Sequence, residues 1–76
     1  MKATVDEVKK IVAKIIKVPE EKLDVNEDLF TVYGVDSLAG VEIFAALDKK
    51  YSINVPEGKL KSVKSVTDLS NLVNSL

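Results

Sequence analysis

Apolar residues fall at helical steps in three separate stretches of the chain, with polar runs between them. In the first, Val5, Val8, Val12, Ile15 and Ile16 recur every three or four positions, and Lys9, Lys10, Lys14 and Lys17 lie on the opposite side. That spacing predicts an amphipathic helix over 5–16. Thr4 followed by Glu7 fits a capping box, each side chain satisfying a backbone N–H that the first turn leaves open. Val18 stands before Pro19, which disfavours helical geometry and marks the stop.

Residues 19–35 keep no sustained period, yet they contain Leu23, Val25, Leu29, Phe30, Val32 and Tyr33. So much apolar surface in a connection predicts a loop pinned onto the core, and long loops in small domains are often functional. Pro19 suits the first position of one helical turn through Leu23.

The second helix is predicted to start at Asp36, a good N-cap, after a turn made by Gly34. Its body from Ser37 to about Tyr51 puts Val41, Phe44, Leu47 and Tyr51 on one stripe and Glu42 and Asp48 off it. Gly40 is out of place, costing about 1 kcal/mol against alanine inside a helix. It either admits a close approach or is tolerated near the helix start, and the sequence leaves both open.

The segment Ser52-Ile53-Asn54-Val55-Pro56 ends this helix, and Glu57 to Ser62 suits a short helical turn weakened by Gly58. The last helix is predicted from Ser65, with Asp68 three residues on as an acidic capping box, through Val66, Leu69, Leu72, Val73 and Leu76. Three longer helices and a short one imply an all-α fold, a small four-helix bundle with a long first loop, as one domain over 1–76.

Length and composition narrow the chemistry. A chain of 76 residues, 46% hydrophobic with four aromatics, is globular, but it buries only about 60% of its unfolded surface. It has no cysteine and no histidine. Disulfides, thiolate nucleophiles and the usual zinc sites are thereby excluded, along with the base that normally activates a serine. The expectation is a chain that is not an enzyme, with no catalytic groups and no metal site of its own. Met1 to Glu7 lacks the apolar run of a signal peptide, and no stretch reaches the ~20 apolar residues of a membrane span. A soluble, cytoplasmic protein is expected, without membrane insertion.

The net charge of −1 conceals an uneven distribution. From Glu20 to Asp48 there are eight acids against one base, Lys22, giving −7 and leaving +6 for the rest. An acidic middle segment suits a basic protein partner, whereas a nucleic-acid binder would show a dominant basic face.

Gly34-Val35-Asp36-Ser37-Leu38 carries the most information, because it sets a serine in the first turn of a helix at the end of a long loop. A phosphate on that hydroxyl would meet open N–H groups and the positive end of the helix dipole. Asp-Ser alone is also an ordinary helix start. Here it sits near mid-chain between two amphipathic helices, with Asp28-Leu29-Phe30 before it and Val41-Glu42-Ile43 and Ile53-Asn54-Val55-Pro56 after it.

In this arrangement the whole chain resembles the acyl carrier protein family. The resemblance implies that Ser37 receives 4′-phosphopantetheine from coenzyme A, whose thiol then holds acyl groups as thioesters for fatty acid or related acyl-chain synthesis. It further implies that Asp36 assists the modification and that Leu38, Glu42 and Asp48 face partners. Those partners are a phosphopantetheinyl transferase and acyl-chain synthases or ligases with basic docking patches, met by a monomeric carrier. Phe44, Leu47 and Tyr51 are candidates for an acyl pocket, with plain core packing as the competing reading.

The chain departs from the family's acidic members at Ala39, two residues after the serine, and at Lys49-Lys50. A carrier dedicated to one pathway is therefore as consistent as a general one. Aminoacyl, D-alanyl and polyketide cargoes stay open, although Val35-Asp36 is unlike the sequence before the serine of peptidyl carriers and Leu38 stands where D-alanyl carriers commonly have Met. An unmodified helical interaction module is the alternative of another class.

Overall fold

The structure is a computed structural model that describes residues 3–76. Helix α1 spans Val5–Ile16, and Thr4 caps it by accepting the Glu7 N–H at 3.1 Å. Only half of the expected capping box forms. The Glu7 carboxylate accepts the Tyr51 hydroxyl at 2.9 Å, an inter-helix contact that takes up an oxygen the box would use. At its other end the Ala13 carbonyl accepts the Val18 N–H at 3.1 Å, and Lys17 adopts the left-handed conformation with φ 61°. Pro19 follows at once, so the helix has no way to continue.

The connection is pinned as expected, but it is more ordered than its lack of period suggests. A single 3₁₀ turn forms at Glu20–Lys22. The Tyr33 hydroxyl donates to the Lys22 carbonyl at 3.2 Å and accepts the Asp24 N–H at 2.8 Å, closing the loop on itself. Thr67 ties it to the last helix, its N–H on the Val25 carbonyl at 3.0 Å and its Oγ1 on Asn26 Oδ1 at 3.0 Å. The sequence reading missed helix α2, Leu29–Val32, which is one turn long. A helix this short shows no period, and its signal is the cap: Asp28 Oδ1 accepts the Phe30 and Thr31 N–H groups.

Helix α3 spans Ser37–Tyr51, a 3₁₀ helix covers Glu57–Ser62, and α4 spans Val66–Ser75. The α4 capping box is complete in both directions between Ser65 and Asp68. Helix α1 packs on α3 and α4, and the second 3₁₀ helix packs on α3. The described residues are all helix and loop, with three longer helices and a one-turn one around a shared core.

That core draws on all four α-helices, with Val8 and Val12 from α1, Leu29 from α2, Ile43, Phe44 and Leu47 from α3, and Val66, Leu69 and Val73 from α4. The buried stripe of α3 is Gly40, Ile43, Phe44, Leu47 and Tyr51, so Val41, expected inside, is exposed. A period of 3.6 admits either neighbour at a stripe's edge, and packing by the second 3₁₀ helix settles the choice. Leu76, at the end of the predicted α4 stripe, is also exposed, beyond the last helical residue. The chain start is clamped to α4, where Ala3 exchanges hydrogen bonds with Asn74 at 2.6 and 2.9 Å and its carbonyl accepts the Ser70 hydroxyl at 3.1 Å.

Burial pushes the Tyr51 hydroxyl up to about 12, helped by its hydrogen bond to Glu7 and by that carboxylate's charge. A phenol that ionises at about 10 when unfolded and at about 12 when folded stabilises the native state fully below pH 10. That contribution is lost as the pH climbs through the folded value. Tyr51→Phe is expected to cost about 1 kcal/mol at neutral pH. Above pH 10 the gap to wild type should shrink, measured as the difference in urea midpoints so that lysine titration common to both cancels.

Candidate functional site

Four consecutive residues build the site, each with a separate task. Gly34 takes φ 68°, a left-handed conformation that side chains rarely adopt, and turns the chain out of α2. Val35 then drops into the core, its N–H on the Leu29 carbonyl at 3.1 Å. Asp36 caps α3, with Oδ1 accepting the Ala39 N–H at 2.9 Å. Ser37 follows as the first helical residue and is exposed. The cap is therefore made by the aspartate, and the serine hydroxyl faces outward at the amino end of a helix of 15 residues.

Ser37 lies on a groove of about 360 Å³ whose other lining residues are Phe30, Leu60, Lys61 and Lys64. Beneath it is an apolar cavity of about 10 Å³, bordered by Phe30, Gly40, Phe44 and Leu60 among others. That is room for about one water, far too little for a hydrocarbon chain. Phe30 and Leu60 line both spaces and form the floor between them.

Gly40 now has a reason. A Cβ there would lie 2.6 Å from Leu60 Cδ1, so the missing side chain is what lets Leu60 of the second 3₁₀ helix seat against α3. Of the pocket candidates, Phe44 borders the small cavity, while Leu47 and Tyr51 are core residues that line neither space.

Leu38 is 69% exposed and Glu42 is exposed, on the same helix as Ser37. Asp48 is half-buried, and its Oδ1 accepts the Val55 N–H at 2.8 Å, which fastens the chain after α3. Its carboxylate is thus partly committed to structure. Val32 and Val41, which the sequence reading placed on the core, are exposed apolar residues. The groove residues Leu60, Lys61 and Lys64 were not singled out either. They lie more than twenty positions after Ser37, and no local pattern joins them to it.

Among the described residues no group of three or more His, Cys, Asp or Glu could hold a metal ion, and no helix is long and apolar enough to cross a membrane.

Residues 6–73 match the family described as "Phosphopantetheine attachment site". The chain is 36% identical over 73 residues to the chloroplastic acyl carrier protein 1 of Casuarina glauca, covering 96% of this chain and 54% of that one. With the corresponding Hordeum vulgare protein the figures are 37% over 75 residues, covering 99% and 50%. The chain thus spans about half the length of these plastid relatives. Against the acyl carrier protein of Campylobacter fetus it is 28% identical over 74 residues, covering 97% of this chain and 96% of the other. Its fold is like that in the NMR structure of the HMG-ACPI domain from the CurA module of Lyngbya majuscula. The TM-score is 0.80 at 22% identity, over 97% of this chain and 78% of that one.

Proposed function

Because the chain belongs to the phosphopantetheine-attachment family of acyl carrier proteins, we propose that Ser37 is its attachment point and that residues 1–76 form one carrier domain. The observation that carries this is an exposed hydroxyl at the first residue of α3, beside an aspartate that already supplies the cap. The family's prosthetic group is 4′-phosphopantetheine, bound covalently. When attached, it supplies a thiol, which this sequence lacks, to hold acyl groups as thioesters.

The residues present fit that group. In the attachment step Ser37 Oγ bonds to phosphorus as the P–O–P link of coenzyme A breaks, adenosine bisphosphate leaves, and the hydroxyl proton passes to the transferase or solvent. Nothing around Ser37 has to move to expose the oxygen, and the groove beside it borders both apolar and basic side chains. Asp36 assists from a carboxylate whose Oδ1 is held by the Ala39 N–H.

Leu38 and Glu42, exposed on α3, serve as the apolar and acidic contacts for the transferase and for acyl-processing enzymes with basic docking patches, and Asp48 contributes at the margin. The carrier acts as a monomer, without catalysis of its own, in a cytoplasmic setting. Fatty acid and polyketide cargoes are both compatible with this site.

Two measurements test the reading. Incubation with coenzyme A, magnesium and a broad-specificity phosphopantetheinyl transferase should add one arm to the wild type by intact mass, and no added mass would overturn it. Asp36→Asn separates that residue's two roles, because asparagine caps about as well as aspartate but loses the charge. Stability should stay within about 0.5 kcal/mol, while loading slows by about tenfold or more, as expected when a carboxylate that helps hold the transferase's magnesium ion is removed.

A further inference from the structure

The groove beside Ser37 has a feature that attachment itself does not require. Apart from Ser37, it is lined by two apolar side chains, Phe30 and Leu60, and by two lysines, Lys61 and Lys64, with no carboxylate among them. We propose, resting on the assignment of Ser37 as the attachment point, that Lys61 and Lys64 clamp the phosphodiester of the arm. The first part of the arm is then folded into the groove over Phe30 and Leu60, and the undocked carrier holds it against the protein instead of leaving it in solvent.

The backbone fixes both lysines in place. Lys64 sits in a short link where its carbonyl accepts the Leu29 N–H at 2.6 Å and its N–H donates to Asp68 Oδ2 at 3.0 Å, so its stem is held between α2 and α4. Lys61 follows Leu60, which is seated against Gly40 of α3. Both side chains are exposed and extend from fixed stems toward the groove that contains Ser37. Asp68 Oδ2 accepts the Lys64 and Ser65 N–H groups, and Asp36 Oδ1 accepts the Ala39 N–H.

A phosphodiester on Ser37 Oγ carries one negative charge and is tethered within the groove, so its encounter with the ammonium groups is intramolecular and needs little affinity. Lysine suits this as a compact charge with three donors on a flexible stem. The branched hydrocarbon that follows the phosphate in the arm finds Phe30 and Leu60 beneath it.

The test uses loaded protein, with one arm per chain confirmed by intact mass. Backbone amide shifts between the unloaded and loaded forms are recorded at low salt and at about 1 M NaCl, where the screening length falls to about 3 Å. Shifts are expected to extend past residues 36–38 to Phe30 and 60–64, and at the distant positions to shrink to about half or less in high salt. Lys61→Glu with Lys64→Glu, both on exposed positions, should confine them to the neighbours of Ser37.

Shifts confined to those neighbours in the wild type, or unchanged by salt, would overturn the clamp and leave the carrier reading standing. A wild type that gains no mass would remove both. Should the double variant resist loading, the salt response of the wild type decides alone.

Discussion

Replacing Ser37 with alanine is expected to abolish loading of the arm completely while leaving the unfolding free energy within about 0.5 kcal/mol of wild type. The two halves of this result come from the same geometry. Ser37 is exposed and stands one residue inside α3, where the hydrogen bond that closes the helix end is made by Asp36 Oδ1 at 2.9 Å. A cap removed from such a position costs about 1 kcal/mol, but Ser37 is not the cap, and alanine is the better helix former. Intact mass after incubation with coenzyme A and transferase reads the first half, and the urea midpoint reads the second. Equal labelling of both proteins would move the attachment point to another hydroxyl. A stability loss above about 1 kcal/mol would show that the serine supports the fold.

Leu47→Ala should be strongly destabilising, at about 3 kcal/mol. Leu47 is fully buried in the second half of α3, a helix that packs on α1. A domain of 76 residues has about 4 to 11 kcal/mol of stability in all, so this one change removes a large share and should lower the melting temperature by about 15 °C. The result also separates two readings of the residue. A side chain lining a cleft that opens for cargo would be easy to lose, since no new void would form. One that fills a closed core leaves a cavity, and a cost below about 1 kcal/mol would contradict the core assignment.

Much of this molecule could be read in advance because its signals are local. The ends of α1, α3 and the second 3₁₀ helix follow from capping residues, prolines and three- to four-residue apolar spacing, all within a few positions of the feature they determine. Asp36 and Ser37 belong to the same class, since capping and exposure at a helix start depend on the chain immediately around them. Helix α2 escaped because a single turn has no period to detect, and its mark was only Asp28.

Longer-range contacts account for the other differences. Glu7 could be placed in a capping box from its spacing to Thr4, but Tyr51, 44 residues away, takes its carboxylate. Asp48 carries a surface charge in any sequence pattern, yet the turn after α3 brings the Val55 N–H onto it.

By itself, then, the order of residues determined where the longer helices start and stop, that the core is mostly aliphatic, and that Ser37 stands at the start of α3, because backbone hydrogen bonding and side-chain periodicity act over one or two turns. Only the folded arrangement decided that Leu60 packs against the bare backbone of Gly40, which edge of α3 faces inward, and that Lys61 and Lys64 border the same groove as Ser37. Those facts depend on which segments meet in space. That is fixed by mutual burial of surfaces far apart in the chain, for which the local sequence carries no mark.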